Sequence, residues 1–103
     1  MKWLETIKVQ TAGGQETLAH AELIALTREV SQATDLTGPL ETCLYRHASV
    51  PGHFAIHLFW DTSNPQIRGS LLGLRLTQGM RHFGLVDHTV WLQNQTTNGN
   101  CHE

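Results

Sequence analysis

From His53 to Pro65 the chain reads His-Phe-Ala-Ile-His-Leu-Phe-Trp-Asp-Thr-Ser-Asn-Pro, a run that few folds accommodate. Phe54, Ile56, Leu58 and Trp60 fall on one side at period two, and His53, Ala55, His57 and Phe59 on the other. Bulky residues on both sides predict a strand covered on both faces, inside a sheet rather than at its edge. Asp61 to Asn64 is turn and cap chemistry. Ser63 or Asn64 can accept the first free helix N–H groups, and Pro65 sits where its missing N–H costs nothing. The run therefore predicts an inner strand, an abrupt stop and a helix start.

The rest of the chain is arranged around that strand. Trp3 to Gln10 alternates, with Trp3, Ile7 and Val9 on one side and Thr6, Lys8 and Gln10 on the other. Glu5 interrupts the apolar side, and Gly13-Gly14 closes the strand. Between Gln15 and Gln32 the period becomes helical, with Ala19, Leu23, Leu26 and Val30 on one stripe. A loop from Thr34 to Pro39 leads to a second strand, Leu40 to His47, and Val50-Pro51-Gly52 supplies a hairpin connection. The second helix is expected to start at Pro65, with Ile67, Leu71, Leu74 and Gln78 on one face and Leu72 and Leu76 beside it. Gly79 is expected to end it and Gly84 to serve as its glycine stop after a short turn. His88 to Gln93 forms the last strand.

The order strand, helix, strand, strand, helix, strand predicts an α+β fold of the ferredoxin-like βαββαβ type. It is an antiparallel four-stranded sheet with both helices on one face. The opposite sheet face carries aromatic residues among polar ones and needs a cover, and self-association into a homodimer through this open face supplies it. At 103 residues the chain suits one domain, read as residues 1–93 with a flexible polar tail over 94–103. A formal charge of −2 leaves no basic footprint for nucleic acid. Cys43 and Cys101 form no C-x-x-C pair, so no zinc or redox motif is read. A reducing, cytoplasmic setting is expected, with Cys43 a small buried hydrophobe. No 18-residue apolar run exists to cross a membrane, and the start lacks a signal-peptide core.

Leu44-Tyr45-Arg46-His47, Pro51-Gly52, Phe54 and Trp60-Asp61, in this order, resemble the antibiotic biosynthesis monooxygenase-type domain. That family pairs a strand ending in Leu-Tyr-Arg with a Pro-Gly hairpin and a third strand running from Phe to Trp plus an acidic residue. The resemblance covers residues 3–93. It implies a dimeric α+β barrel and, for an active member, oxygenation of a phenolic, quinol or enolisable molecule with no cofactor. One departure is Leu58, where the family commonly has Glu.

Seven histidines give this chain its chemical options. By parity His57 points away from the helix layer, toward the cavity that the barrel would enclose. There it is the candidate catalytic base, or else a histidine satisfied by a local partner. Tyr45, Phe59 and Trp91 are the candidate substrate-binding residues around it. Trp60 and Trp91 are read as core, interface or pocket wall. His47 and His53 flank the hairpin, and His53 and His57 stand about 13 Å apart by strand rise, too far to chelate one ion. No metal site is expected. Asp87 and His88, adjacent on a strand, point to opposite faces. Gly69 and Gly73 are read as a notch for close packing or for a ligand groove. Arg68, Arg75 and Arg81 are read as partners of the acidic first helix or as an anion site.

Two functions follow. One is a non-catalytic or small-ligand-binding, stress-associated dimer that holds a small apolar or aromatic ligand. The other is the cofactor-independent monooxygenase that the resemblance implies.

Overall fold

The computed structural model describes residues 1–32 and 38–94. The elements are β1 (Lys2–Thr11), α1 (Glu16–Gln32), β2 (Glu41–Arg46), β3 (His53–Asp61), α2 (Leu71–Met80), a 3-10 turn (Arg81–Phe83) and β4 (Gly84–Leu92). The strands form one antiparallel sheet in the order β2-β3-β1-β4, so β3 is an inner strand, as its two bulky faces require. The expected tail lies outside the described residues from 95 onward, as do Cys101, His102 and most of the loop expected over 34–39.

The parity of β3 decides the layering. Phe54, Ile56, Leu58 and Trp60 are buried, while His53, Ala55, His57 and Phe59 are half-buried on the other face. In register, Val9, Ile7, Glu5 and Trp3 of β1 stand beside the buried set and share its face. Ala19 and Leu23 of α1 and Leu76 and Met80 of α2 close over these residues, so both helices lie on one side. Full burial of each large apolar side chain contributes about 1.5–3 kcal/mol, which makes this layer the main source of stability.

Five expectations about the second half are corrected. α2 begins at Leu71, with Ser70 rather than Ser63 or Asn64 as its N-cap; the Ser70 hydroxyl accepts from the Gly73 N–H at 2.9 Å. Gly69, at φ +103, holds a left-handed turn that no helix through this point allows. The inward face of α2 is Gly73, Leu76, Thr77 and Met80, so Leu71 and Leu74 face outward. Gly79 lies within the helix. Gly84 opens β4 in an extended conformation, where a Cβ would stand 2.0 Å from the Gln10 carbonyl oxygen. Because β1 pairs with this edge from Thr11↔Gly84 onward, β4 starts four residues before the expected His88.

Candidate functional site

The two helices lie over different strands of the sheet: α1 against β2, and α2 against β1 and β4. Between them opens a cleft of about 1350 Å³. Trp3 and Trp60 form its sheet side, stacked with ring centroids 5.2 Å apart and planes 12° off parallel. Leu26 of α1 and Leu72 and Leu76 of α2 wall it, and its rim is polar, with Arg75 opposite the carboxylates of Glu22, Glu29 and Glu41. The indole of Trp3 is held by donation to Thr62 Oγ1 at 2.9 Å. Such a hollow, apolar with a few fixed polar groups, is the usual form of a small-molecule site.

Beneath the cleft lies the most unusual group in the chain. Glu5 points from β1 into the core and is fully buried. Its carboxylate takes four hydrogen bonds. Oε1 accepts from Trp60 Nε1 at 2.9 Å and from the Ser70 hydroxyl at 2.5 Å. Oε2 accepts from the Ser70 N–H at 3.0 Å and lies 2.7 Å from His88 Nε2. Every lone-pair direction of the carboxylate is used, the condition under which a buried charge is tolerated. With Glu5 ionised, His88 must present Nε2–H to it, which fixes the imidazole's orientation.

Two glycines leave room for this cluster. A Cβ at Gly73 would stand 2.0 Å from Glu5 Oε2, and one at Gly69 would stand 2.2 Å from His88 Cε1. The notch expected from Gly69 and Gly73 thus holds the Glu5–His88 pair rather than a neighbouring backbone.

His57, Tyr45, Phe59 and Trp91 all lie on the other, open face of the sheet. Tyr45 packs on His57 with ring centroids 4.7 Å apart, and Phe59 meets it edge-on at 6.0 Å. Burial lowers the His57 pKa below its ordinary value of 6.5, and Lys8 adds to the shift. Trp91 is 60% exposed and stands two strands away from Phe59, across Leu4. The structure therefore brings together His57, Tyr45 and Phe59, and sets Trp91 apart from them. A second hollow of about 550 Å³ on this face includes Tyr45 but not the other three.

The remaining candidates are placed as follows. Cys43 is half-buried, not a core residue. It lies beside His57 on β2, its thiol donates to Glu41 Oε1 at 3.2 Å, and burial followed by that carboxylate raises its pKa. The His47 and His53 rings face each other at 5.6 Å across the hairpin. Asp87 and His88 do take opposite faces. Among the described residues no ion pair links Arg68, Arg75 or Arg81 to α1, and Arg75 lines the same cleft as Glu22 and Glu29 of α1. No three His, Cys, Asp or Glu side chains of the described residues converge on a metal position. No helix among them is long and apolar enough to cross a membrane.

Sequence reasoning missed Ser70, His88 and the role of Glu5. The signal was present: one acidic residue at a core position of an alternating strand demands buried donors.

No protein-family model and no curated protein matches the chain. Solved structures do. The Rv0793 protein of Mycobacterium tuberculosis superposes with a TM-score of 0.68 at 15% identity, over 95% of this chain and 100% of that one. A candidate antibiotic biosynthesis monooxygenase of Deinococcus radiodurans gives 0.66 at 15% identity, over 93% and 96%. A variant of SnoaB, a cofactor-independent oxygenase from Streptomyces nogalater, gives 0.66 at 11% identity, over 94% and 97%. At these identities the likeness is one of fold.

Proposed function

We propose that this chain is a small cofactor-independent oxygenase whose substrate, a phenolic, quinol or enolisable aromatic molecule, binds in the cleft between α1 and α2. The observation that carries the reading is the cleft itself: an apolar hollow of about 1350 Å³ over the stacked Trp3 and Trp60 rings. Trp3 and Trp60 are only 4% and 7% exposed, so a flat aromatic ligand gains chiefly by burying the apolar side chains beside them, Leu26 and Leu72. Two of the solved structures sharing the fold carry oxygenase or monooxygenase names, one of them as a candidate, which supports the reaction class.

The chemistry asks little of the protein beyond binding and removal of a proton. Loss of a proton, from an activated CH₂ or from the O–H of its enol or phenol tautomer, leaves the same electron-rich anion, which O₂ oxidises, forming a C–O bond at that carbon and a hydroperoxide. Loss of the second C–H proton breaks the O–O bond, leaving a ketone and water. One oxygen atom stays on carbon and the other leaves as water. The same reading pairs two copies through the open sheet face, where Tyr45, Leu85 and Trp91 are exposed.

A second reading places the reaction on that open face, with His57 as base and Tyr45, Phe59 and Trp91 as binding residues. It is favoured by the lowered pKa of His57, which keeps its imidazole neutral and able to accept a proton. Oxygen consumption with a panel of hydroxylated and enolisable aromatics separates the two. The cleft reading expects turnover to survive His57→Ala and to fall at least tenfold when Leu76→Trp fills the cleft. The reverse pattern supports the open face, and no consumption with any compound leaves a binding protein without catalysis.

A further inference from the structure

The Glu5 cluster is not explained by stability. Replacing a buried ionic cluster by apolar residues of similar volume is often neutral or stabilising. This chain instead spends a buried carboxylate, a half-buried histidine and two glycines on one position in the core. Two partners of the cluster also border the cleft. Trp60 and Ser70 both line the cleft and both donate to Glu5 Oε1. An indole N–H cannot be replenished once donated. A serine hydroxyl can.

We infer that Glu5, acting through the Ser70 hydroxyl, is the proton acceptor for a hydroxylated aromatic or enolic ligand bound in the cleft. The inference rests on the cleft reading above and supplies its base. The hydrogen-bond capacity of Ser70 closes on this scheme. A hydroxyl has one donor and two acceptor positions. Before transfer, Oγ donates to Glu5 and accepts from the Gly73 N–H, and its second lone pair accepts the ligand O–H. The ligand O–H bond then breaks, its proton passes to Oγ, and the Ser70 proton passes to Oε1. Afterwards Oγ still accepts from Gly73, now accepts from the Glu5 O–H, and donates to the ligand oxyanion. Every bond position is filled on both sides, and no charge is lost from the pair of reacting groups.

The surrounding groups suit this transfer. Oε2 keeps the Ser70 N–H and His88 Nε2 as partners, so the carboxyl does not turn when Oε1 takes the proton. His88 is a positioning residue. Ser70 is held twice, by its own N–H to Glu5 and by its hydroxyl at the head of α2. Arg75 of α2 is the cation of the same cleft, whose lining also carries the carboxylates of Glu22, Glu29 and Glu41.

The test uses 2-naphthol, whose neutral and ionised forms absorb at different wavelengths. Binding is followed separately through quenching of tryptophan fluorescence. At neutral pH, where free 2-naphthol is un-ionised, the wild-type protein is expected to bind it as the anion with no net release of protons to the buffer. Ser70→Ala and Glu5→Gln are expected to bind it un-ionised, and Ser70→Thr, which keeps the hydroxyl, to restore the anion. Un-ionised ligand in the wild type overturns the inference and leaves the cleft reading intact. So does ionised ligand in Ser70→Ala, or ionisation that releases one proton per site, since Arg75 alone would then account for the anion. No quenching in the wild type overturns the cleft reading itself, and the inference with it.

Discussion

At the scale of residues, Glu5 was legible as an anomaly and illegible as a site. The alternation of β1 placed it on the core face, yet its partners are 55, 65 and 83 residues away in sequence, and no local pattern reports them. Its energetics give a clear expectation for Glu5→Gln. An amide retains one acceptor oxygen and puts an NH₂ against either Trp60 Nε1–H or the Ser70 N–H, and neither of these can turn to accept. The amide N–H and the donor it faces are both left unpaired, at a cost of about 1–3 kcal/mol each, which chemical denaturation will measure. His57 tells the opposite story, because parity alone set its face. Its pKa is lowered by burial first and by Lys8 second, so the folded chain binds this proton less tightly than the unfolded chain. Its effect on stability is absent above the ordinary value of 6.5 and becomes a loss as pH falls below it. His57→Gln should therefore flatten the acid side of the stability profile, and the His57 ring resonance should titrate below the ordinary value of 6.5.

At the scale of elements, the strands were well read and the second helix was not. Strand alternation survives at every described position of β3, because one buried face enforces it. For α2 the leucines misled: Leu71 and Leu74 share a stripe but face outward, since the inner face must admit Glu5 and His88 at Gly73 and Gly69. Pro65 and Asn64 carried real start chemistry, but the left-handed Gly69 and the Ser70 cap override it. Two glycines of this helix should respond with opposite signs. Gly79→Ala meets nothing within 4 Å and should stabilise by up to about 1 kcal/mol. Gly73→Ala gains the same helix propensity but drives a Cβ into Glu5 Oε2, and should destabilise by about 1–3 kcal/mol overall. Thermal unfolding of the two variants side by side reads the difference. Equal effects would mean that Glu5 does not fill the notch.

At the scale of the whole molecule, the sheet has two faces with different tasks. The helix face holds the core, the cleft and the Glu5 cluster. The open face presents Tyr45, Leu85 and Trp91 at 43%, 75% and 60% exposure. Element order made the fold legible. It could not show the cleft between the helices, which lies over Trp3 and Trp60, two residues 57 positions apart in sequence. The open face is expected to pair two copies, so light scattering should give twice the 11.5 kDa chain mass, and Trp91→Glu should return it to one chain. The three tryptophans report directly on which face takes the ligand. Trp3 and Trp60 line the cleft, and Trp91 lies on the open face. The decisive measurement is a titration of ¹⁵N-labelled protein with 2-naphthol, following the three indole N–H resonances by NMR. Shifts at Trp3 and Trp60 with Trp91 unmoved are the predicted result. A shift at Trp91 with Trp3 and Trp60 unmoved would contradict the account.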